Sequence, residues 1–299
     1  MANGVKNKLL LLIVAVTIMF VSYLFANKSG ISENYTQTSF ITKTDDEITE
    51  EYIEISNNCR YTGIEFSDKS ILTVQNLIPT GKIKLDKYDH KYFVLGYSSR
   101  HKQAGWCSWV LTRYMVKNKN VKRENAFRED SLLRCCMAYN SDYKNSGYDR
   151  GHLCPSGDMT WNRQANRETF LLSNICPQNK QLNQGRWNDL EILCRAWASK
   201  LDSLLIITGP VLEPDKGSIG KGKITVPSAF YKIIIDISSP KCKAIAFIMP
   251  NDAIKNRLFT YAVPIKDVEK QTGLNFFPKY DKDKLVQSLE TMCDTSAWK

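Results

Sequence analysis

Three runs in the second half of the chain constrain the fold most. They are SLLIITGPVL (Ser203 to Leu212), AFYKIIIDI (Ala229 to Ile237) and KAIAFIMPN (Lys243 to Asn251). Each is rich in β-branched and aromatic residues, the composition of a strand. Two earlier runs, KYFVLGYSS (Lys91 to Ser99) and WCSWVLTRYMV (Trp106 to Val116), read as strands of a hairpin across the polar loop Ser98 to Gly105. ETFLLSNICPQ (Glu168 to Gln178) reads as a short strand ending in a proline-bearing loop. From Asn183, NQGRWNDLEILCRAWASKL predicts one helix. In it Leu190, Cys194 and Trp197, or Trp187, Glu191 and Arg195, recur at helical spacing. Strands and helices mix without βαβ spacing, so the expected class is α+β with a largely antiparallel sheet. No glycine-rich phosphate loop of the Walker or dinucleotide type occurs.

The chain has 299 residues, with 41 Lys+Arg against 31 Asp+Glu and a net charge of +10. That excess favours polyanionic partners. Leu9 to Ala26 is an uncharged apolar run of 18 residues, at the lower end of what spans a bilayer. Lys6 and Lys8 precede it, so the remainder is expected outside the cytoplasm. An uncleaved anchor is preferred, because Leu24 is bulky for a cleavage site; a cleaved signal peptide stays open. The expected division is 1–26 anchor or signal, 27–80 polar spacer and lead-in, and 81–299 globular domain. Nine cysteines in an exported chain permit disulfides but leave one thiol over. No CxxC pair is present, so a zinc ribbon or thioredoxin-like motif is unsupported.

Chemistry concentrates in YDRGHLCPSGDMTWN (Tyr148 to Asn162). His152 can exchange a proton near neutral pH, and Arg150 can bind phosphate through its planar fork. Gly151 suggests a close backbone approach; Asp149 caps a turn or orients a neighbour. On the predicted helix, Asn183 and Glu191 lie about 80° apart around the axis. Together they offer the hard oxygen donors that suit Mg²⁺. Blander readings stand beside these: His152 as a structural histidine, Asn183 as an N-cap, and Glu191 with Arg195 as a surface i,i+4 pair. His90 and His101 fall in polar loops and read as non-catalytic. The basic segment Arg113 to Arg134 is a solvated loop or a flank touching phosphates. Trp106, Trp109, Trp187 and Trp197 read as core.

The patterns DRGHL-P-D---N, ETF-L-N--PQ and N-G-W--LE, in this order, resemble the DNA/RNA non-specific endonuclease family of ββα-metal nucleases. The likeness extends through VPSAFYKIIID, AIAFIMPN and DVEKQTGLNFFP, covering roughly Lys82 to Pro278. It implies a central, mostly antiparallel sheet flanked by helices. It implies His152 as general base and Asn183 as the direct ligand of one Mg²⁺, with Mn²⁺ as a substitute. Glu191 would hold the ion's waters, and Arg150 and Arg195 would sit near the phosphate. Asp149, Asn174 and Gln178 would support the site. The implied reaction is sequence-indifferent cleavage of DNA or RNA, leaving 5′-phosphate and 3′-hydroxyl ends. Expected partners are nucleic acid from the resemblance, the membrane from the N-terminal apolar run, and an inhibitor protein and a second copy of the chain. From the N-terminal segment, the expected location is the cell envelope with the domain outside the cytoplasm, or secreted or periplasmic after signal cleavage. A non-catalytic nucleic-acid receptor on the same fold is the rival reading, though a binder would not need His152, Asn183 and Glu191 together.

Some positions depart from the family pattern. Cys154 stands where a small residue is usual; packing is the preferred reading over a disulfide or a metal role. With Cys176 and Cys194 it raises redox sensitivity as an expectation. Arg113 is the candidate for an upstream arginine that some members carry. Asp158 and Asn162 would brace the loop.

Overall fold

Strand residues that are apolar on both sides need cover on both faces. The computed structural model describes residues 78–133, 135–238 and 242–298. Its strands in chain order are β1 (Thr80–Gly81), β2 (Asp86–Asp89), β3 (Val94–Ser98), β4 (Gln103–Thr112), β5 (Asp149–His152), β6 (Ile175–Gln178), β7 (Ser203–Ile219), β8 (Ile224–Asp236), β9 (Lys243–Pro250), β10 (Ala262–Val263) and β11 (Leu274–Asn275). Seven of them form one sheet in the order β10-β9-β8-β7-β4-β3-β2. All its neighbours are antiparallel, with Trp109 opposite Ile206 and Ile206 opposite Ile234 at the centre. The α+β class and antiparallel sheet are as the patterning predicts.

Period two sorts the central side chains. Trp109, Leu204, Ile206, Ile234 and Ile245 join one buried cluster; Val110, Leu205, Ile207, Ile233, Ile235 and Ala244 join another. Burying each Leu or Ile contributes about 1.5–3 kcal/mol, which explains why both alternate sets are apolar. The second face is covered by helix α6 (Ile265–Thr272) and helix α7 (Lys284–Thr291), through Ile265, Val268, Val286 and Leu289. The first face carries the chemistry. Helices α1 (Arg113–Lys117), α2 (Asn140–Tyr143), α3 (Arg163–Glu168), α4 (Lys180–Gln184) and α5 (Arg186–Leu201) come from the intervening chain. In α5 Trp187, Leu190, Cys194, Trp197 and Ala198 are buried, so Trp187 joins the core set and Glu191 and Arg195 are left at its margin.

Three local expectations are corrected. The strand predicted to Val116 ends at Thr112, whose Oγ1 accepts from Met115 N at 3.2 Å and starts α1. The single helix predicted from Asn183 is two helices broken at Gly185, where a Cβ would lie 2.5 Å from Gln181 O. Asn183 is therefore not an N-cap; Asn179 caps α4, accepting from Gln181 N and Leu182 N. Pro177 lies inside β6 rather than in a following loop.

His90 and His101 lie in a loop and a turn as expected, with their imidazoles buried: His90 Nε2 lies 3.1 Å from Asp130, and His101 Nδ1 lies 3.0 Å from Thr225 Oγ1. The four tryptophans read as core are all buried. Among the described residues no helix is long and apolar enough to cross a membrane. Leu9 to Ala26 and the polar spacer up to residue 77 lie outside the described residues.

Candidate active site

The DRGH residues form β5, paired antiparallel with β6 so that Arg150 faces Pro177 and His152 faces Ile175. Alternation sends Arg150 and His152 to one side and Asp149 and Gly151 to the other. Gly151 is required by a close approach: a Cβ there would meet Gln178 Oε1 at 2.3 Å and Gln178 Cβ at 2.6 Å. The loop leaving β5 is clamped by Asn174. Its Oδ1 accepts from Cys154 N, and its Nδ2 donates to Cys154 O and Thr169 O, all at 2.9 Å. Asn251 fixes β6 against the main sheet, donating to Pro177 O at 3.1 Å and Pro227 O at 3.0 Å.

These elements border a cleft of about 670 Å³ lined by Arg123, Phe127, Asp149, Arg150, His152, Asn183, Glu191 and Arg195, with Ser156, Gly157 and Asn188. Six residues singled out from sequence thus meet in one place. Asn174 and Gln178 stand behind the cleft and shape it. The helix break invalidates the angular argument for Asn183 and Glu191, yet the turn at Gly185 still brings both to the same cavity.

His152 is 9% exposed, and its Nε2 has no hydrogen-bond partner. Its ring packs between Phe127 and Phe170, centroids 5.4 and 5.0 Å away. Burial, then the Arg123 and Arg150 guanidiniums, push its pKa down to about 3. The imidazole is therefore neutral at physiological pH. The same two rings carry the cations: Arg150 lies 4.1 Å from the Phe127 centroid and Arg123 5.1 Å from that of Phe170, within cation–π range. Arg150 Nη1 also donates to Asn140 Oδ1 at 2.9 Å, and Arg123 Nη1 to Ser156 Oγ at 2.8 Å.

Arg195 is held by buried Asp158, donating at 2.8 Å, while Trp109 Nε1 donates to the other Asp158 oxygen at 3.2 Å. Asp158 thus aims Arg195, and the surface pair between Glu191 and Arg195 is not formed. Asn162 caps α3 through Ala165 N. Asp149 Oδ2 accepts from Asn183 Nδ2 at 2.9 Å and Gln184 Nε2 at 3.0 Å. That bond turns the Asn183 amide so that Oδ1 remains available. Burial pushes the Glu191 pKa up to about 7, opposed chiefly by Lys232. Lys232 is itself buried, its Nζ 4.6 Å from the Trp187 ring and 5.2 Å from the Trp109 ring.

Arg113 is not the upstream arginine of the cleft. It donates to Ser199 O at 2.9 Å and Lys200 O at 3.2 Å near the end of α5. Arg123 occupies the cleft instead, from the same basic segment. Cys154, Cys176 and Cys194 are free and buried, and burial raises all three, Cys194 to about 12. Reactive thiolates need the opposite shift, so packing is their role.

One neutral imidazole, three arginines, an amide oxygen and the carboxylates of Asp149 and Glu191 share a single cleft on an α+β scaffold, a set with the charge and donors to receive an anionic group. The family model described as DNA/RNA non-specific endonuclease matches residues 72–283; the chain belongs to this family. It is similar to Nuclease C1 of Cunninghamella echinulata var. echinulata, 37% identical over 70% of this chain and 87% of that protein. It also resembles the mitochondrial nuclease EXOG of Danio rerio, at 36% identity over 64% of this chain and 61% of that protein. The chain therefore matches about three fifths of that relative's length. A solved structure of an EndoG/EndoGI complex superposes with a TM-score of 0.62 and 31% identity, over 66% of this chain and 87% of the matched one.

Proposed function

We propose that this protein is a metal-dependent, sequence-indifferent endonuclease that hydrolyses phosphodiester bonds of DNA or RNA. The observation that carries the reading is a neutral His152 imidazole lining a cleft shared with three arginines, Asn183 and Glu191. A receptor for nucleic acid would gain nothing from burying a neutral imidazole there.

The donor set fits a hard divalent cation: Asn183 Oδ1 is left free by the Asp149 bond, and Glu191 adds a carboxylate. Mg²⁺ takes few protein oxygens and keeps several waters, so Asn183 as direct ligand and Glu191 toward the hydration shell suffice. When bound, the ion would neutralise phosphate charge and stabilise the departing 3′ oxygen. The His152 imidazole accepts the proton of the attacking water as the water oxygen bonds to phosphorus and the P–O3′ bond breaks; the departing 3′ oxygen takes a proton from solvent, and His152 returns its own to solvent before the next turnover. The products are a 5′-phosphate and a 3′-hydroxyl. Burial depresses His152 most, and a bound phosphate offsets the smaller part due to Arg123 and Arg150, so the base gains some strength when substrate arrives. Arg150, Arg195 and Arg123 grip phosphate oxygens, and backbone contact carries no sequence information. Asp149 turns the Asn183 amide, while Asn174 and Gln178 fix the loop and strand behind His152. The apolar Leu9 to Ala26 segment, preceded by Lys6 and Lys8, supports placement in the cell envelope with the domain outside the cytoplasm.

The test uses the full chain in mild detergent with covalently closed circular plasmid. Nicking and then degradation should require Mg²⁺ and stop with excess chelator. His152→Ala should lower the rate by roughly 10²–10⁴ while the fold melts normally. Equal plasmid binding by both proteins with no nicking by either would favour the receptor reading.

A further inference from the structure

We propose that the hollow beside β5, between Lys144 and Tyr148, is a second subsite that takes one unpaired nucleotide next to the scissile phosphate. This rests on the endonuclease reading above and adds a preference for single-stranded or locally opened substrate. The hollow measures about 350 Å³ and is lined by Asn140, Tyr143, Lys144, Tyr148, Asp149 and Arg150. Two of these, Asp149 and Arg150, also line the main cleft, so the two cavities share a wall and a continuous strand can occupy both.

Each lining group suits a nucleotide. Lys144 is exposed and has no ion pair among the described residues, which leaves its three donors for phosphate. Arg150 is fixed between Asn140 and Phe127, a rigid cation on the boundary between the cavities. Asp149 is the one carboxylate in the lining, and two amide donors already hold its Oδ2. Tyr143 is buried, its hydroxyl donating to Ile175 O at 3.1 Å, and gives a rigid wall. Tyr148 is half-buried, its backbone N–H donating to Ser146 Oγ at 3.2 Å. Its side chain packs against the buried cluster that holds Ala138, Tyr143 and Ile175, which makes it a supported aromatic surface of the kind that stacks bases without regard to sequence. The volume sits at the low end of small-molecule sites, about 300–1,000 Å³, and matches one nucleotide rather than a duplex. A base paired within a helix cannot enter such a hollow without leaving its stack.

The experiment compares the full-length protein with Lys144→Gln and Tyr148→Leu. Substrates are a single-stranded twelve-nucleotide oligonucleotide and the blunt duplex containing it, each cleaved with Mg²⁺ over a range of salt. Tyr148→Leu should lose about five- to a hundredfold in kcat/KM on the single strand, the range that base stacking contributes; Lys144→Gln should also lose there, and both should lose much less on the duplex. Lys144→Gln should also flatten the log–log salt dependence of single-strand binding by about 0.7, one phosphate contact. Equal losses on both substrates, or no loss on either, would overturn the subsite. Lys144 is exposed, so its variant carries the test if Tyr148→Leu melts early. Failure of the unmodified protein to cleave either substrate would instead sink the endonuclease reading.

Discussion

Environment, more than identity, sets what each titratable side chain in the cleft can do. Burial raises Glu191 to about 7, so near neutrality it is divided between its two forms. Only the carboxylate helps to hold a cation. Mg²⁺ affinity, read from the metal-induced rise in melting temperature, should weaken about tenfold per unit below pH 7; a pH-independent affinity would remove Glu191 from the site. His152 shifts the other way, down to about 3. Between pH 6.5 and 3 the unfolded chain therefore binds the proton more readily than the folded one. The stability owed to this group is complete above pH 6.5 and is lost as pH falls toward 3, by up to about 5 kcal/mol. Glu191 opposes this trend, since its raised pKa favours the folded state at low pH and the benefit fades as pH rises through 7. In denaturant unfolding, stability at pH 7 minus stability at pH 4 should be lower, sign included, for His152→Gln than for the unmodified chain, because the mutant keeps only the opposing Glu191 contribution.

Among elements, the β5–β6 pair leaves little room for change. Gly151 lies against the Gln178 side chain at distances no Cβ allows. Gly151→Ala should cost about 1–3 kcal/mol as an overpacked site, lowering the melting temperature by several degrees. Activity should fall further than stability does, because the strand that shifts carries His152 and Arg150. An unchanged melting curve with full activity would show that Gln178 yields freely. The break at Gly185 has the complementary effect: by ending α4 it lets Asn183 and Glu191, on two helices, line one cavity.

For the whole molecule, the double-faced sheet separates support from chemistry. One face is sealed by α6 and α7, and the other carries β5, β6 and α5 around the cleft. The net charge of +10 is expressed locally as Arg123, Arg150 and Arg195. Duplex binding by the inactive His152→Ala protein should therefore weaken steeply with salt. Three phosphate contacts give a log–log slope of about −2.7, steeper if other cations join. A slope near zero between 50 and 500 mM salt would mean that phosphates do not lead recognition.

The sequence by itself determined the α+β class, the five main apolar strands and the grouping of Asp149, Arg150 and His152 with Asn183, Glu191 and Arg195. The class and the strands follow from local periodicity; the grouping follows from the resemblance of three spaced motifs to the non-specific endonuclease family, although Asn183 and Glu191 lie on two helices. Tertiary structure alone decided which arginine of the basic segment enters the cleft. Arg113 and Arg123 are equivalent in local pattern, but one caps a helix end and the other leans on Phe170. It likewise decided that Phe127 and Phe170 wall His152, that Asp158 rather than Glu191 holds Arg195, and that Lys232 lies beneath the site between two tryptophans. Such partners are far apart in sequence and have no periodic signature. Their roles arise from burial and mutual distance, which exist only once the sheet has closed over its core.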